Sequence, residues 1–149
     1  MTKSILVTGC AGFIGSRVAA LLTEQGQRVV GIDNMNNYYD VSLKQHRLQQ
    51  LEKQSGFDFR AIDLENRDAV GTLFEEFDFE TVVNLAARAG VRYSMENPLV
   101  YMTTNALGSL NLLEEIRKHD VGKYMLASTS SLYAGQPMPF TEDLAVNTP

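Results

Sequence analysis

The segment SILVTGCAGFIG, residues 4–15, constrains the fold more than any other part of the chain. Its short apolar run reads as a buried strand, and it passes directly into three glycines spaced three apart, Gly9, Gly12 and Gly15. Beyond them Ile14, Val18, Leu21 and Leu22 recur at one-face helical spacing, up to a stop near Gly26. A buried strand, a glycine turn and a helix in so few residues open a βαβ unit, because parallel strands need a crossover between them.

The same alternation continues along the chain. RVVGID, 28–33, reads as a second strand, followed by a polar loop and a charged helix over 42–54 with Leu43, Leu48 and Leu51 inward and Gly56 closing it. FDFRAID, 57–63, is the third strand; Asn66 can cap a helix carrying Val70, Leu73, Phe74 and Phe77. TVVNLAA, 81–87, is the fourth. Asn97 and Pro98 open a long helix to residue 119, with Leu99, Met102, Ala106, Leu110 and Leu113 expected inward, and KYMLAS, 123–128, is the fifth strand. The proline-bearing tail after it reads as loop.

The expected architecture is α/β, one domain over residues 1–149: a doubly wound parallel sheet of Rossmann type, strand order 3-2-1-4-5. Ligand then sits at the switch between strands one and four, outside the strands' carboxyl ends. The glycine loop, Asp33, Asp63, Leu85 onward and Ser128 onward converge there.

Composition narrows the function classes. At 44% hydrophobic and 21% charged the chain is expected to be globular, and a net charge of −5 without a basic stripe argues against a nucleic-acid partner. No apolar run is long enough to span a bilayer and the first residues do not read as a signal peptide, so no membrane role and a cytoplasmic location are the expectation. A single cysteine, Cys10, excludes an internal disulfide. In the glycine loop it reads as a space-filler, with a reactive thiolate at the helix start as the alternative. His46 and His119 read as surface residues, and no metal site is expected.

The glycine loop permits a tight turn and close approach of backbone to a pyrophosphate, with N–H groups at the helix start, at Phe13 and Ile14, meeting the anion. A plain chain reversal is the alternative reading of the glycines. Asp33 closes strand two 18 residues after Gly15; a carboxylate there accepts ribose hydroxyls and repels a 2′-phosphate, which favours NAD over NADP. Asn34 and Asn37 extend that polar rim, or simply make a turn. Asp63 can accept an adenine amino group, with the Leu64 backbone beside it, or can cap the following helix. Leu85, Ala86 and Ala87 pass beneath the dinucleotide, and Arg88 either approaches a phosphate or is a solvated rim charge.

These motifs resemble the extended short-chain dehydrogenase/reductase family of nucleotide-sugar epimerases and dehydratases. That family carries TGxxGxxG, a strand-two Asp, a strand-three Asp before an apolar residue, an LAA strand end and S-[ST]-x-x-x-Y after strand five. Here they are TGCAGFIG, Asp33, Asp63–Leu64, LAA at 85–87 and STSSLY at 128–133. Within the family, GIDNMNNYYDVSLKQHRL and AGVRYSMENP look most like the UDP-glucuronate 4-epimerases, over the cofactor-binding half of such an enzyme.

The resemblance implies a UDP-sugar substrate and a tightly held NAD that oxidises the sugar at C4 and returns the hydride to the opposite face. It implies a tyrosine base in a YxxxK motif, assisted by a hydroxyl that falls on Thr129. It places Ser128 near the nicotinamide, Ser130 and Ser131 near the substrate carboxylate, Arg92 and Tyr93 in the substrate wall, and Thr104 and Asn105 toward the cofactor. The alternatives are a Ser/Thr turn closing strand five, a packing role for Tyr93, and helix packing for Asn105.

None of the six tyrosines has a lysine four residues on, and Ala134 rather than glycine follows Tyr133. The 149 residues are therefore expected to be inactive alone, and the edge of strand five is expected to pair with another copy or a partner. A non-catalytic dinucleotide-binding module, a UDP-N-acetylglucosamine 4-epimerase and a sugar-nucleotide dehydratase are the competing functional readings.

Overall fold

The computed structural model describes residues 3–146. Five parallel strands, β1 (Ser4–Thr8), β2 (Val29–Asp33), β3 (Phe57–Ala61), β4 (Phe79–Asn84) and β5 (Lys123–Leu126), form one sheet in the order β3-β2-β1-β4-β5. The register pairs Leu6 with Val30 on one side and with Val82 on the other, so the strands' carboxyl ends align at one edge of the sheet. Strand order and class are as the alternation of elements predicts.

Period-two alternation divides the core between the two faces of the sheet. Leu6, Val30, Ile32 and Val82 pack with Val70, Leu73 and Phe74 of α3 (Arg67–Glu76) and with Leu112 further along the chain. Ile5, Val7 and Val29 pack on the opposite face with Ala19 of α1 (Phe13–Glu24) and Leu51 of α2 (Val41–Leu51). Helices on both faces bury parallel strands completely, which is why β1 and β2 are buried at every position.

Helix α3 buries Val70, Leu73 and Phe74 as the sequence reading expects, but the other long helices depart from that reading in which face they bury. In α1 the inward stripe is Gly15, Ala19 and Thr23, whereas Ile14 is 64% exposed and Leu21 also faces out. The sheet beneath already supplies the bulk, and small residues let the helix approach; a Cβ on Gly15 would collide with the Gly9 carbonyl. In α2 Lys44 is buried in place of the expected Leu43, which is exposed.

The long helix is composite. After a short helix α4 (Val91–Glu96), where the sequence reads as loop, come α5 (Pro98–Tyr101), a π-helical segment Met102–Leu107, and α6 (Gly108–Lys118). Its expected inward residues Leu99, Met102, Ala106, Leu110 and Leu113 are all exposed. The buried face is Thr104, Gly108, Asn111, Leu112 and Glu115. Gly108 sits where a Cβ would come within 2.9 Å of Leu64 Cβ, and the Asn111 side chain donates to the Leu64 carbonyl at 2.7 Å, so a small and a polar residue fit this contact better than leucine.

Strand ends also move: β3, β4 and β5 stop at Ala61, Asn84 and Leu126, before the readings that ran to 63, 87 and 128. Of the freed residues, Ile62, Asp63 and Leu85–Ala87 line the crevice described next, and Ala127 and Ser128 line the hollow beside it. Among the described residues the tail holds only a 3₁₀ turn, Ser130–Tyr133, and the glycine that the family resemblance implies directly after Tyr133 stands one residue later, at Gly135 with φ 81°.

Candidate functional site

The carboxyl ends of β1, β2, β3 and β4 enclose a crevice lined by Gly9, Gly12, Asp33, Asn34, Asp63, Leu64, the run Leu85–Arg88, and Thr104. Asn36, Tyr38, Tyr39 and Lys44 also line it, none of which sequence reasoning placed there. At its floor Gly9 adopts φ 66°, and a Cβ there would meet the Ala86 backbone at 3.0 Å, so glycine is required both by conformation and by the crossing of β4. The α1 amino end beside it has Gly12 as its N-cap, no side-chain cap and no acidic residue in its first turn. Its free N–H groups and dipole therefore offer a place for an anion. The side chains of Phe13 and Ile14 point away from the crevice, leaving only their backbone for this role.

The crevice is held open by a polar junction. Thr8 Oγ1 donates to Asn84 Oδ1 at 2.6 Å and accepts from the backbone N–H groups of Leu85 and Ala86, both at 3.0 Å. Asn84 Nδ2 donates in turn to the Tyr124 hydroxyl at 3.0 Å. This network turns the chain away from β4 as soon as the ladder ends, and it joins β1, β4 and β5. Thr8 and Asn84, polar residues directly after the apolar pairs Leu6–Val7 and Val82–Val83, are the sequence signal for it.

At the far wall Asp33 is buried; its Oδ1 accepts from the Met35 backbone at 2.8 Å and from Lys44 Nζ at 3.1 Å. Asn34 donates to Asp63 Oδ2 at 2.7 Å, while Asp63 Oδ1 accepts from the Glu65 backbone at 3.0 Å. The following helix is capped by Asn66, which accepts from Ala69 N–H at 3.1 Å, so Asp63 is not its cap. Asn37 is exposed and does not line the crevice; Asn36 does. The Thr104 hydroxyl donates to Glu65 Oε1 at 2.6 Å, and Asn105 clamps the Arg88 backbone, accepting from its N–H at 2.8 Å and donating to its carbonyl at 3.0 Å. Both come from the π-helical segment, a distortion that commonly re-aims side chains at functional sites.

Arg88 stands between this crevice and a wider neighbouring hollow, and lines both. Its guanidinium lies over the Tyr38 ring, 5.4 Å from the centroid, and its Nε is buried with no partner among the described residues. The hollow is bounded by Leu85–Val91 on one side and Leu126–Ser131 on the other, so Ser128, Thr129, Ser130 and Ser131 face it together. Thr129 is also the N-cap of the 3₁₀ turn: its Oγ1 accepts from Ser131 N–H and donates to Ser131 Oγ, each at 3.2 Å. The turn reading and the presentation of hydroxyls to the hollow are thus one structure.

Arg92 and Tyr93 do not line the hollow. Arg92 is exposed, and the Tyr93 ring packs beside Tyr38 and Tyr101 at 5.6 and 6.2 Å between centroids. In that cluster Tyr101 donates to the Ala89 and Gly90 carbonyls, both at 2.8 Å; burial, then the Tyr38 hydroxyl, push its pKa up to about 12. Burial, and then the charge of Asp33, raise the Cys10 thiol well above its ordinary range, which favours the space-filling reading. Among the described residues no group of three His, Cys, Asp or Glu side chains is placed to hold a metal ion, and no helix is long and apolar enough to cross a membrane.

Known proteins share this sequence pattern and fold. The family model described as GDP-mannose 4,6 dehydratase matches residues 6–148. A UDP-glucuronate 4-epimerase from Thermodesulfobacterium geofontis is 54% identical over 97% of this chain and 45% of its own length. The UDP-glucuronic acid 4-epimerase of Bacillus cereus, crystallised with UDP-glucuronic acid and NAD, superimposes with a TM-score of 0.80 at 38% identity, covering 95% of this chain and 45% of the other. Thermus thermophilus UDP-glucose 4-epimerase, solved with NAD, gives 0.73 at 36% identity over 85% and 37%. The chain thus spans less than half the length of these relatives. With the family model matching nearly the whole chain, it belongs to the GDP-mannose 4,6 dehydratase family of extended short-chain dehydrogenase/reductase proteins.

Proposed function

We propose that the chain is the NAD-binding part of a nucleotide-sugar 4-epimerase whose substrate is UDP-glucuronate. The observation that carries the dinucleotide reading is the uncapped amino end of α1 facing the same crevice as the Asp33 carboxylate, whose Oδ2 accepts no hydrogen bond among the described residues. Anion donors at one end and a ribose-type acceptor at the other fit a dinucleotide lying across the sheet switch. The uronate reading rests on the two relatives named for that sugar and on the four hydroxyls at the hollow, which can donate to a carboxylate.

NAD, when bound, supplies the reversible acceptance of hydride from the sugar carbon. The chain's own residues bind and orient. Gly9 and Gly12 let backbone approach the pyrophosphate, and the N–H groups of Phe13 and Ile14 meet its charge. Asp33 and Asn34 hold the ribose; Asp63 and Leu64 face the adenine; Leu85, Ala86 and Ala87 form the floor. Arg88 offers its guanidinium to a phosphate where crevice and hollow meet. Ser128 faces the nicotinamide side, and Thr129 donates to the reacting sugar oxygen, with Ser130 and Ser131 toward the carboxylate. No tyrosine of the chain has the lysine that lowers a phenol's pKa for base catalysis, so the 149 residues alone are expected to give no turnover.

Titration calorimetry with NAD tests the central claim. Binding to the wild-type chain is expected, with a loss of roughly tenfold or more in Asp33→Ala, since a charge-assisted hydrogen bond disappears. Equal affinity of the variant removes Asp33 from the ribose site. Incubation of a longer product of the same reading frame with UDP-glucuronate and with UDP-N-acetylglucosamine separates the sugar readings, and absence of uronate turnover sinks the one preferred here. We also read the β5 edge as a self-association surface, because among the described residues β5 pairs with β4 alone and Met125 is 61% exposed.

A further inference from the structure

Lys44 has no part in the function as described so far, yet it is the most deeply buried cation of the described residues, 4% exposed against 8% for Asp33. Its Nζ donates to Asp33 Oδ1 at 3.1 Å, lies 5.2 Å from the centre of the Tyr39 ring, and lines the same crevice. Asp33 Oδ1 also takes the Met35 N–H at 2.8 Å, so one carboxylate oxygen is saturated from inside the protein and the other remains for a ligand. An ammonium has three donors, and Lys44 makes one hydrogen bond among the described residues. The crevice wall therefore presents a free acceptor next to free donors, which is the complement of a vicinal diol.

The charges add to zero. A strand-end carboxylate rejects a 2′-phosphate by short-range repulsion, and here an ammonium at contact distance reduces that repulsion without removing it. We propose that Lys44 is a second determinant of dinucleotide choice: with Asp33 it grips the adenosine ribose diol, and without the Asp33 charge it becomes a ready-made counter-ion for a 2′-phosphate. This rests on the dinucleotide reading of the crevice. A buried cation deprived of its partner is strongly penalised, so a ligand that restores neutrality gains what the lost carboxylate supplied. The selectivity for NAD would then be the property of a pair, reversible by a change at one member of it.

Calorimetry with NAD and NADP on the wild type, Asp33→Asn, and Asp33→Asn/Lys44→Met tests the pair. The wild type is expected to prefer NAD. Asp33→Asn should weaken NAD and strengthen NADP, each by roughly tenfold or more, and adding Lys44→Met should abolish the NADP gain. Equal NADP affinity in Asp33→Asn and the double variant overturns the proposal while leaving NAD binding by the wild type intact. Failure of the wild type to bind either dinucleotide overturns the crevice reading and this inference together. Lys44→Gln, with Asp33 retained, gives an independent reading if Asp33→Asn does not fold: NAD should weaken by roughly tenfold, and unchanged affinity would overturn the role of Lys44.

Discussion

Thr8 and Asn84 show how single residues set the site. Each ends an apolar strand with a polar side chain, and their mutual hydrogen bond, together with the two N–H groups that Thr8 accepts, turns residues 85–88 into the crevice instead of extending the ladder. Cys10 does the opposite work at the same level, filling space. Its Sγ lies where a Cβ on Gly31 would come within 2.7 Å, so the strand-two glycine and the loop cysteine are a matched pair. Fully buried and with its thiol pKa raised, Cys10 is expected to react with a thiol reagent such as DTNB at pH 8 only after denaturation; rapid labelling of the folded chain would revive the reactive-thiolate reading. Gly9, Asp33 and Asp63 were legible because their types are unusual where apolar strands end. Lys44 was not, because in a charged helix a buried lysine looks like any solvated one, and only the neighbouring carboxylate distinguishes it.

Among elements, the strands, the helix positions apart from α4, and the inward face of α3 followed from periodicity and capping, but the inward faces of α1 and of the long helix did not. In α6 the apolar stripe of Leu110 and Leu113 points outward, and the packing face carries Gly108, Asn111 and Leu112. An element's own pattern says that a face is apolar; the surface opposite decides whether it is the one that fits. The two leucines at the turn of this helix separate the possibilities. Leu112→Ala, at a fully buried position, is expected to cost about 2–5 kcal/mol, and Leu110→Gln, 53% exposed, to change stability by no more than about 0.5 kcal/mol. Denaturant melts of both variants check this, and a larger loss from Leu110→Gln would restore the sequence reading of the face.

For the molecule as a whole, helices cover β1 and β2 on both faces, but among the described residues the sheet ends at β5, where Met125 and Leu126 are exposed, and the outward residues Leu99, Met102, Leu110 and Leu113 lie on the composite helix between β4 and β5. Proteins rarely leave a strand edge and an apolar stripe both in water. Light scattering of the chain is expected to show species above the monomer mass, growing with concentration, and Leu126→Lys on the β5 edge to reduce them; a strictly monomeric wild type removes the self-association reading. The strands and their order, the helices other than α4 and the π-helical segment, and the glycines and carboxylates at the strand ends were legible in the sequence, because periodicity, turn chemistry and strand termination are local. Only the tertiary structure decided which helix faces are buried, that Asp33 is paired with Lys44, and that Asn36 rather than Asn37 meets the crevice. Those depend on the shape and charge of surfaces distant in the chain, and burial is a property of two surfaces in contact.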